Sequence, residues 1–239
     1  MLRRSNFGEA DRIVTLFTRD RGKISAVAKG SRRIKSSISG SAELCSYSVI
    51  QLAAGSNLDV ITQMELRSAF LGLRSSLDRI SRAMYLLEFC AEFLEDRHPN
   101  PDLFFLLLSA LYVLEKSSSL DWVVSGFEVQ AMAILGYAPQ IAACVSCGRP
   151  AVGLLRFSAP MGGVVCGVCS ARHRESIGVS AQAIEAIGLL GELELAVLGK
   201  QEPPPDVETE VRGLLRAHIR SRAEREMRST RFIDQLRTL

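Results

Sequence analysis

Between Arg12 and Thr18 the chain reads RIVTLFT, a run of β-branched and aromatic residues, and RDRG follows at 19–22 as a turn. KISAVAK (23–29) then alternates again, so the two runs predict a hairpin. A polar, basic loop, GSRRIKSSISGS (30–41), separates it from a further strand within ELCSYSVIQLAA (43–54). GSN turns that stretch into LDVITQMEL (58–66). Short strands joined by turns at this spacing predict a small barrel or sandwich. Beyond residue 75 the period changes. SSLDRISRAMYLLEFCAEFLED sets Ile80, Met84, Leu87 and Ala91 at helical spacing, with Ser75 or Ser76 as N-cap. NPD introduces a second helix over 103–114, and SLDWVVSGFEVQAMAILG (119–136) reads as a third, with Gly136 at its end. SAQAIEAIGLLGEL (180–193) is helical despite its glycines. EPPPD (202–206) breaks the chain before a last amphipathic helix over 207–226, whose Val211, Leu214, Leu215, His218 and Ile219 form one stripe. No repeat of fixed period is present.

A chain of 239 residues can bury a substantial core, as one large domain or two ordinary ones. Hydrophobic residues make up 47% and charged residues 23%, which excludes wholesale disorder and fibrous classes. The longest apolar run, Leu103 to Leu114, is shorter than the roughly 20 residues that span a bilayer, so it predicts a buried helix. The start, MLRRSNFGEADR, has no apolar signal region, and a cytoplasmic location is expected. The net charge of +3 hides an asymmetry. Residues 1–75 hold 12 lysines and arginines against 6 acids, whereas residues 76–239 hold 17 against 20. A polyanion partner is expected for the first third.

Four of the six cysteines form C-x2-C-x18-C-x2-C: Cys144, Cys147, Cys166 and Cys169. This spacing reads as a zinc site, each CxxC turn offering two thiolates to one tetrahedral ion. Four sulfurs leave no open position for a water, so the expected role of the one ion is structural. The competing readings are coincidence or a pair of redox dithiols. A thioredoxin-like motif sits at a helix start near a βαβ pattern, and neither pair does. His173 could replace Cys169, but four thiolates are the more economical set. Cys45, placed in a strand, and Cys90, on an apolar helix face, read as inert core residues.

Arg32, Arg33 and Lys35 crowd one loop, with Lys29 beside it and Arg19, Arg21 and Lys23 around the preceding turn. Such cations fit phosphate contacts that do not read sequence; the plainer alternative is a solvated loop. Phe7, Phe17, Tyr47 and Phe70 are the domain's only aromatics and are mostly expected in the core, so DNA binding would be mainly electrostatic. No residue set suggests bond chemistry. There is no G-x-x-x-x-G-K-[ST] and no H-E-x-x-H, and the three histidines, His98, His173 and His218, accompany no nucleophile.

LRRSNFGEADRIVTLFTRDRGKISAVAKGSRR followed by IK, then LGYAP (135–139), C-x2-C, FSAPMGGVVC-x2-C and a closing RSTRF (228–232), resembles the bacterial RecO family of recombination and repair mediators over nearly the whole chain. The resemblance implies an α+β protein: an N-terminal OB-fold β-barrel (1–75), then an α-helical domain (76–239) with an inserted four-cysteine zinc finger (140–175). It implies binding of single- and double-stranded DNA, annealing of complementary strands, and action with RecR to help RecA onto DNA coated with single-strand-binding protein. Lys29, Arg32, Arg33 and Lys35 match the family's basic KG-x-RR-x-K loop, and the four cysteines match its zinc ligands. The acidic tail of single-strand-binding protein would dock on the helical domain, with Arg79, Arg82 and Arg97 as candidate contacts. Arg212, Arg216, Arg220, Arg222 and Arg225 could extend a DNA path, although Glu208, Glu210, Glu224 and Glu226 make a balanced, solvated face the better reading. Family members usually begin with several more residues, an apolar strand before LRR, so either the start is misplaced or the first barrel strand is short; an incompletely closed barrel would expose a strand edge. The main competitor is a zinc-ribbon interaction module such as a transcription regulator. A redox enzyme is a distant third.

Overall fold

The computed structural model describes residues 1–32, 43–55, 57–223 and 227–237. The alternating N-terminal stretches form five strands: β1 (Arg3–Phe7), β2 (Asp11–Thr18), β3 (Gly22–Ala28), β4 (Tyr47–Ala53) and β5 (Asp59–Ser68). Their order across the sheet is β1-β2-β3-β5-β4. All neighbours are antiparallel except β3 and β5, which pair in parallel through Ala26↔Asp59 and Val27↔Val60. A three-strand meander followed by a returning pair is the Greek-key layout of a partly open OB-fold barrel. Strand spacing alone does not distinguish it from a sandwich.

Strand β3 shows why these residues make a barrel wall. Gly22, Ile24, Ala26 and Ala28 are buried while Lys23, Ser25 and Val27 are half-buried. With Val14, Leu16 and Ile61 the inward set builds the barrel core. The RDRG turn closes because Gly22 adopts φ 66° and the Thr18 hydroxyl donates to the Gly22 carbonyl at 3.0 Å. A Cβ there would lie 2.0 Å from the His98 carbonyl oxygen, so only glycine fits. Strand β1 has no apolar alternation and all five of its residues are exposed; it forms because β2 offers a pairing edge, in register from Arg3↔Thr15 to Phe7↔Asp11. Cys45 lies not in a strand but in the turn before β4, at φ 56°. It is buried against Met84, and burial pushes its thiol up to about 11.

The helices are α1 (Leu71–Arg74), α2 (Leu77–Phe93), α3 (Pro101–Leu114), α4 (Leu120–Ile134), α5 (Ala181–Glu192), α6 (Leu195–Leu198), α7 (Pro205–Arg220) and α8 (Arg228–Arg237). Their ends follow from local chemistry. The Asn100 side chain accepts from Leu103 N and Pro101 opens α3; the Ser180 hydroxyl accepts from Ala183 N at the start of α5. Gly136, at φ 82°, turns the chain out of α4. The stripe on α7 is buried as its spacing predicts. Helix α8, holding RSTRF, has no counterpart in the sequence reading. It docks on α2 through Glu88, whose carboxylate accepts from Arg228 N at 3.0 Å and Ser229 N at 2.9 Å.

The chain forms two compact units, Met1–Glu115 with Met227–Leu239, and Lys116–Glu226. The first therefore runs past residue 75, where the period changes. Phe17 and Tyr47 of the barrel pack edge-on against Phe104 of α3, and Lys23 reaches Asp96 after α2. In the second unit α4, α5, α6 and α7 bury Trp122, Phe127, Met132, Leu190, Leu198, Val211 and Leu214. Gln130 donates to the Leu190 and Leu193 carbonyls at 2.8 and 2.9 Å, satisfying the end of α5. The segment between α4 and α5 adds a small sheet of β6 (Leu155–Ser158), β7 (Gly163–Cys166) and β8 (Ile177–Val179), ordered β7-β6-β8, with a short 3-10 turn at Ser170–Arg172.

His218 on α7 is fully buried. Its Nε2 lies 2.7 Å from the Tyr137 carbonyl and its Nδ1 has no partner, an arrangement that suits a neutral ring. Burial lowers its pKa; the Tyr137 carbonyl works against that and the Arg222 charge adds to it. Stability contributed by the neutral ring is therefore whole above its unfolded value near 6.5 and is lost as pH falls through the lower folded value. Between about pH 7.5 and about pH 5.5 the urea midpoint of the wild type should fall further than that of His218→Gln, which keeps a donor for Tyr137. Parallel midpoints would remove His218 from the acid response.

Candidate metal centre and nucleic-acid interface

The two CxxC turns are shaped before any metal is considered. Cys144 N donates to the Arg149 carbonyl and Gly148 N to the Cys144 carbonyl, both at 2.8 Å, and Gly148 takes φ 72°. On the other side Cys166 ends β7 and Cys169 N donates back to the Cys166 carbonyl at 3.0 Å. Backbone bonds draw the turns together: Gln140 N to Gly162 O, Val164 N to Gln140 O and Val145 N to Val164 O, at 2.8–2.9 Å. A Cβ on Gly163 would stand 2.4 Å from the Gln140 carbonyl oxygen, so the second glycine of PMGG permits this approach.

As a result the four Sγ atoms of Cys144, Cys147, Cys166 and Cys169 lie within 4.8 Å of one another. The Cys147 and Cys166 sulfurs are 3.9 Å apart. That is far from a disulfide and near the edge of about 3.8 Å expected for sulfurs set tetrahedrally at about 2.3 Å from one ion. Burial would hold the Cys144 thiol up, but backbone donors at Cys166, Ser146 and Cys147 outweigh it and bring it down to about 6. A site that already favours one thiolate is suited to a cation. His173 bonds Ser146 at 3.1 Å through Nε2 and faces Glu175 through Nδ1, so it bridges the turns as an outer partner. The chain thus carries a four-cysteine metal-binding site.

The FSAPMGG hairpin between β6 and β7 is fixed from α7. Arg222 donates to the Ala159 and Pro160 carbonyls at 3.2 and 3.3 Å, and the Ser221 hydroxyl to Ala159 at 2.9 Å. Arg222 is therefore occupied within its own unit, and Arg212 faces Asp121 at 3.5 Å. Arg220 is exposed, whereas Arg225, Glu224 and Glu226 lie outside the described residues.

The basic residues of the first unit divide by what already holds them. Arg33 and Lys35 lie outside the described residues. Lys29 is exposed. Arg32 donates to the Gly8 carbonyl at 3.1 Å and its backbone to Ala10, while Gly30 N donates to Asp11 at 2.7 Å. The start of the basic loop is thereby pinned to the β1–β2 turn, and in OB-folds the loop between the first two strands contacts oligonucleotides. Arg19 forms a two-point pair with Asp20, and Arg21 lies 4.0 Å from Asp59. Lys23 has partners within its own unit: its ammonium meets the Ala91 carbonyl at 3.1 Å and Asp96 at 3.3 Å, and its side chain is 19% exposed. Phe7, one of the four aromatics mostly expected in the core, is 50% exposed, next to Gly8, whose carbonyl holds Arg32. Its place in a run without other apolar residues, RRSNFGE, is the signal that could have marked it.

The helical candidates also have partners. Arg79 donates to the Leu114 carbonyl, Arg82 to Asp78 at 2.8 Å and Arg97 to Asp59 at 3.3 Å. No helix among the described residues is long and apolar enough to cross a membrane.

Two family models match. That described as Recombination protein O N terminal covers residues 1–70, and that described as Recombination protein O C terminal covers residues 74–231. A DNA repair protein RecO of Roseiflexus sp. (strain RS-1) is 33% identical over 240 residues, spanning 100% of this chain and 84% of the relative. One from Symbiobacterium thermophilum is 33% identical over 242 residues, at 100% and 96% coverage, and one from Pelotomaculum thermopropionicum 33% over 235 residues, at 98% and 91%. With both family models side by side along its length and relatives aligned nearly end to end, the chain belongs to the RecO family of DNA repair and recombination proteins, non-enzymatic mediators of recombination.

Proposed function

We propose that the chain binds single- and double-stranded DNA, anneals complementary strands and, with RecR, helps load RecA onto DNA coated with single-strand-binding protein. The strongest support is the presence of both RecO halves on a chain whose first 75 residues carry 12 basic against 6 acidic side chains. In this reading residues 1–75 are the OB-fold nucleic-acid-binding domain, and residues 76–239 are the helical domain with its insertion at 140–175. The acidic tail of single-strand-binding protein docks on the second, and the protein works in the cytoplasm, associated with the nucleoid.

Annealing on such a surface needs no reacting group. Cations on one face hold two phosphodiester strands, lower their mutual repulsion and raise the local concentration of each. Base pairing then supplies the driving force. Lys29, Arg32, Arg33 and Lys35 make the principal phosphate contacts; Arg19 and Arg21, at the opposite end of the β2–β3 hairpin, join them along a longer strand once a phosphate displaces Asp20 and Asp59. Phe7 adds a ring on which an unpaired base can stack. One structural Zn2+, held by Cys144, Cys147, Cys166 and Cys169, closes the insertion and takes no part in the pairing.

Three measurements check this. Acceleration of annealing between strands precoated with single-strand-binding protein is expected, and should vanish when the coating protein lacks its acidic tail; no acceleration by the folded, metal-loaded chain would sink the reading. Replacing Arg32, Arg33 and Lys35 with Ala should flatten the slope of log K against log[salt] on single strands by about 2, at roughly 0.7 per lost phosphate contact. Phe7→Ala should instead cost about 1–3 kcal/mol of affinity at unchanged slope. Equal slopes for wild type and the triple variant would move the DNA site off the loop. Finally, Cys147→Ser should lower zinc content and unfolding temperature while DNA affinity, measured where the variant stays folded, is retained. Selective loss of DNA binding by a folded Cys147→Ser protein would contradict the structural role.

A further inference from the structure

The second unit exposes two apolar surfaces of opposite charge. The first is the tip of the four-cysteine module. Val152, Leu154 and Val168 are 74%, 79% and 77% exposed, unusual for large aliphatic side chains outside an interface. Pairing of Leu155 with Cys166 brings Leu154 beside Gly167, so Leu154 and Val168 share one end of the β6–β7 ladder, and Val152 follows across the Gly153 turn. Exposed Arg149, Arg172 and Arg174 surround the two cysteine turns. Between residues 140 and 179 there are 4 arginines and a single acid, Glu175, which the Ser158 hydroxyl already engages.

The second surface is a groove of about 450 Å³ between α5 and the EPPPD segment. Trp122, Leu189, Val207 and Pro203 supply its apolar floor and walls, and Glu185 and Glu202 are the charged residues among those lining it. It is held in shape from beneath. The Trp122 indole donates to the Gln201 side chain at 3.0 Å, the Ser119 hydroxyl to the Gln201 carbonyl, and the Ser117 hydroxyl to Gly199 at 2.8 Å. A fixed apolar slot with an acidic rim selects a protruding apolar group with a basic rim. The tip has that chemistry.

We infer that the tip of one copy docks in the groove of a second copy, Val152, Leu154 and Val168 against the Trp122 floor and Arg149, Arg172 and Arg174 against Glu185 and Glu202. Such a contact is heterologous: two of them close a dimer if the geometry is reciprocal, and a chain of them forms an open assembly if it is not. Aliphatic side chains with no exposed aromatic among them favour a polypeptide slot over nucleobases, which stack on rings. A two-copy particle would bring two DNA-binding barrels together, so that each strand is presented to the other by a tethered rather than a free partner. That consequence rests on the annealing reading above, but the association itself does not.

Sedimentation velocity of the zinc-loaded full chain tests the contact. Over about 1 to about 100 µM the wild type should shift from monomer to a larger species. Leu154→Ser with Val168→Ser, or Glu185→Arg with Glu202→Arg, should each weaken association about tenfold or more. All these side chains are exposed, and far-UV circular dichroism and zinc content check folding. Mixing the groove variant with one carrying Arg149→Glu, Arg172→Glu and Arg174→Glu should restore association, which misfolded proteins cannot do. A monomer throughout the range, or association indifferent to both sets of substitutions, overturns the inference. Annealing is read separately: no annealing by wild type that does associate rejects the proposed function and leaves the contact standing.

Discussion

Four sulfurs converging within 4.8 Å govern the shape of everything between α4 and α5. That stretch, residues 135–180, has 46 residues and a three-stranded sheet whose strands are three or four residues long. A sheet so small lacks the apolar area to repay the ordering of its backbone, and segments of this size ordinarily need a metal or a covalent link. The buried set is short: Leu155, Phe157, Val164 and Val165. Thiolates sharing one cation would supply the missing cohesion, since metal affinity in such sites is folding free energy. The glycines follow from the same requirement. Gly163 lets β7 approach the backbone at Gln140, and Gly148 closes the first turn.

The legible parts of this molecule are those in which a local rule and a tertiary demand coincide. The C-x2-C-x18-C-x2-C spacing marks the metal site because the turn that presents two thiolates is a property of four consecutive residues. The hairpin of β2 and β3 is equally plain, since alternation and a glycine turn agree. The α7 stripe is readable for the same reason; His218 looks out of place on it until the Tyr137 carbonyl appears at 2.7 Å. What the sequence conceals is structure made by a distant partner. Strand β1 has no apolar alternation, is exposed along its length, and exists because β2 pairs with it. Helix α8 is ten residues long, too short to persist alone, and is started by Glu88, some 140 positions away. Cys45 reads as strand but takes a left-handed conformation in the turn that precedes β4.

The same contrast applies to the basic residues. Charge counted along the chain marks the first 75 residues as basic, but it cannot say which cations are already committed. Lys23 and Arg97 look equivalent to Lys29 in composition. Lys23 is held by Asp96 and Ala91, and Arg97 pairs with Asp59, so both already have partners within their own unit. Exposure of Phe7 is hidden in the opposite way, since an aromatic residue is assigned to a core by default.

Commitment also ranks the cations that remain. A phosphate that recruits Arg19 must first displace Asp20, which holds the guanidinium through two bonds of 2.8 and 3.2 Å. Among the described residues, the Arg32 side chain meets a neutral carbonyl, that of Gly8, at 3.1 Å. Exchanging a carbonyl for a phosphate gains a full charge interaction, whereas exchanging a carboxylate for a phosphate trades one charged bond for another and releases a repelling anion beside the strand. On the DNA-binding reading proposed above, the loop at Lys29 and Arg32 is therefore the first place a strand binds, and the Arg19 turn adds affinity only when enough of the backbone is already held to keep Asp20 turned away.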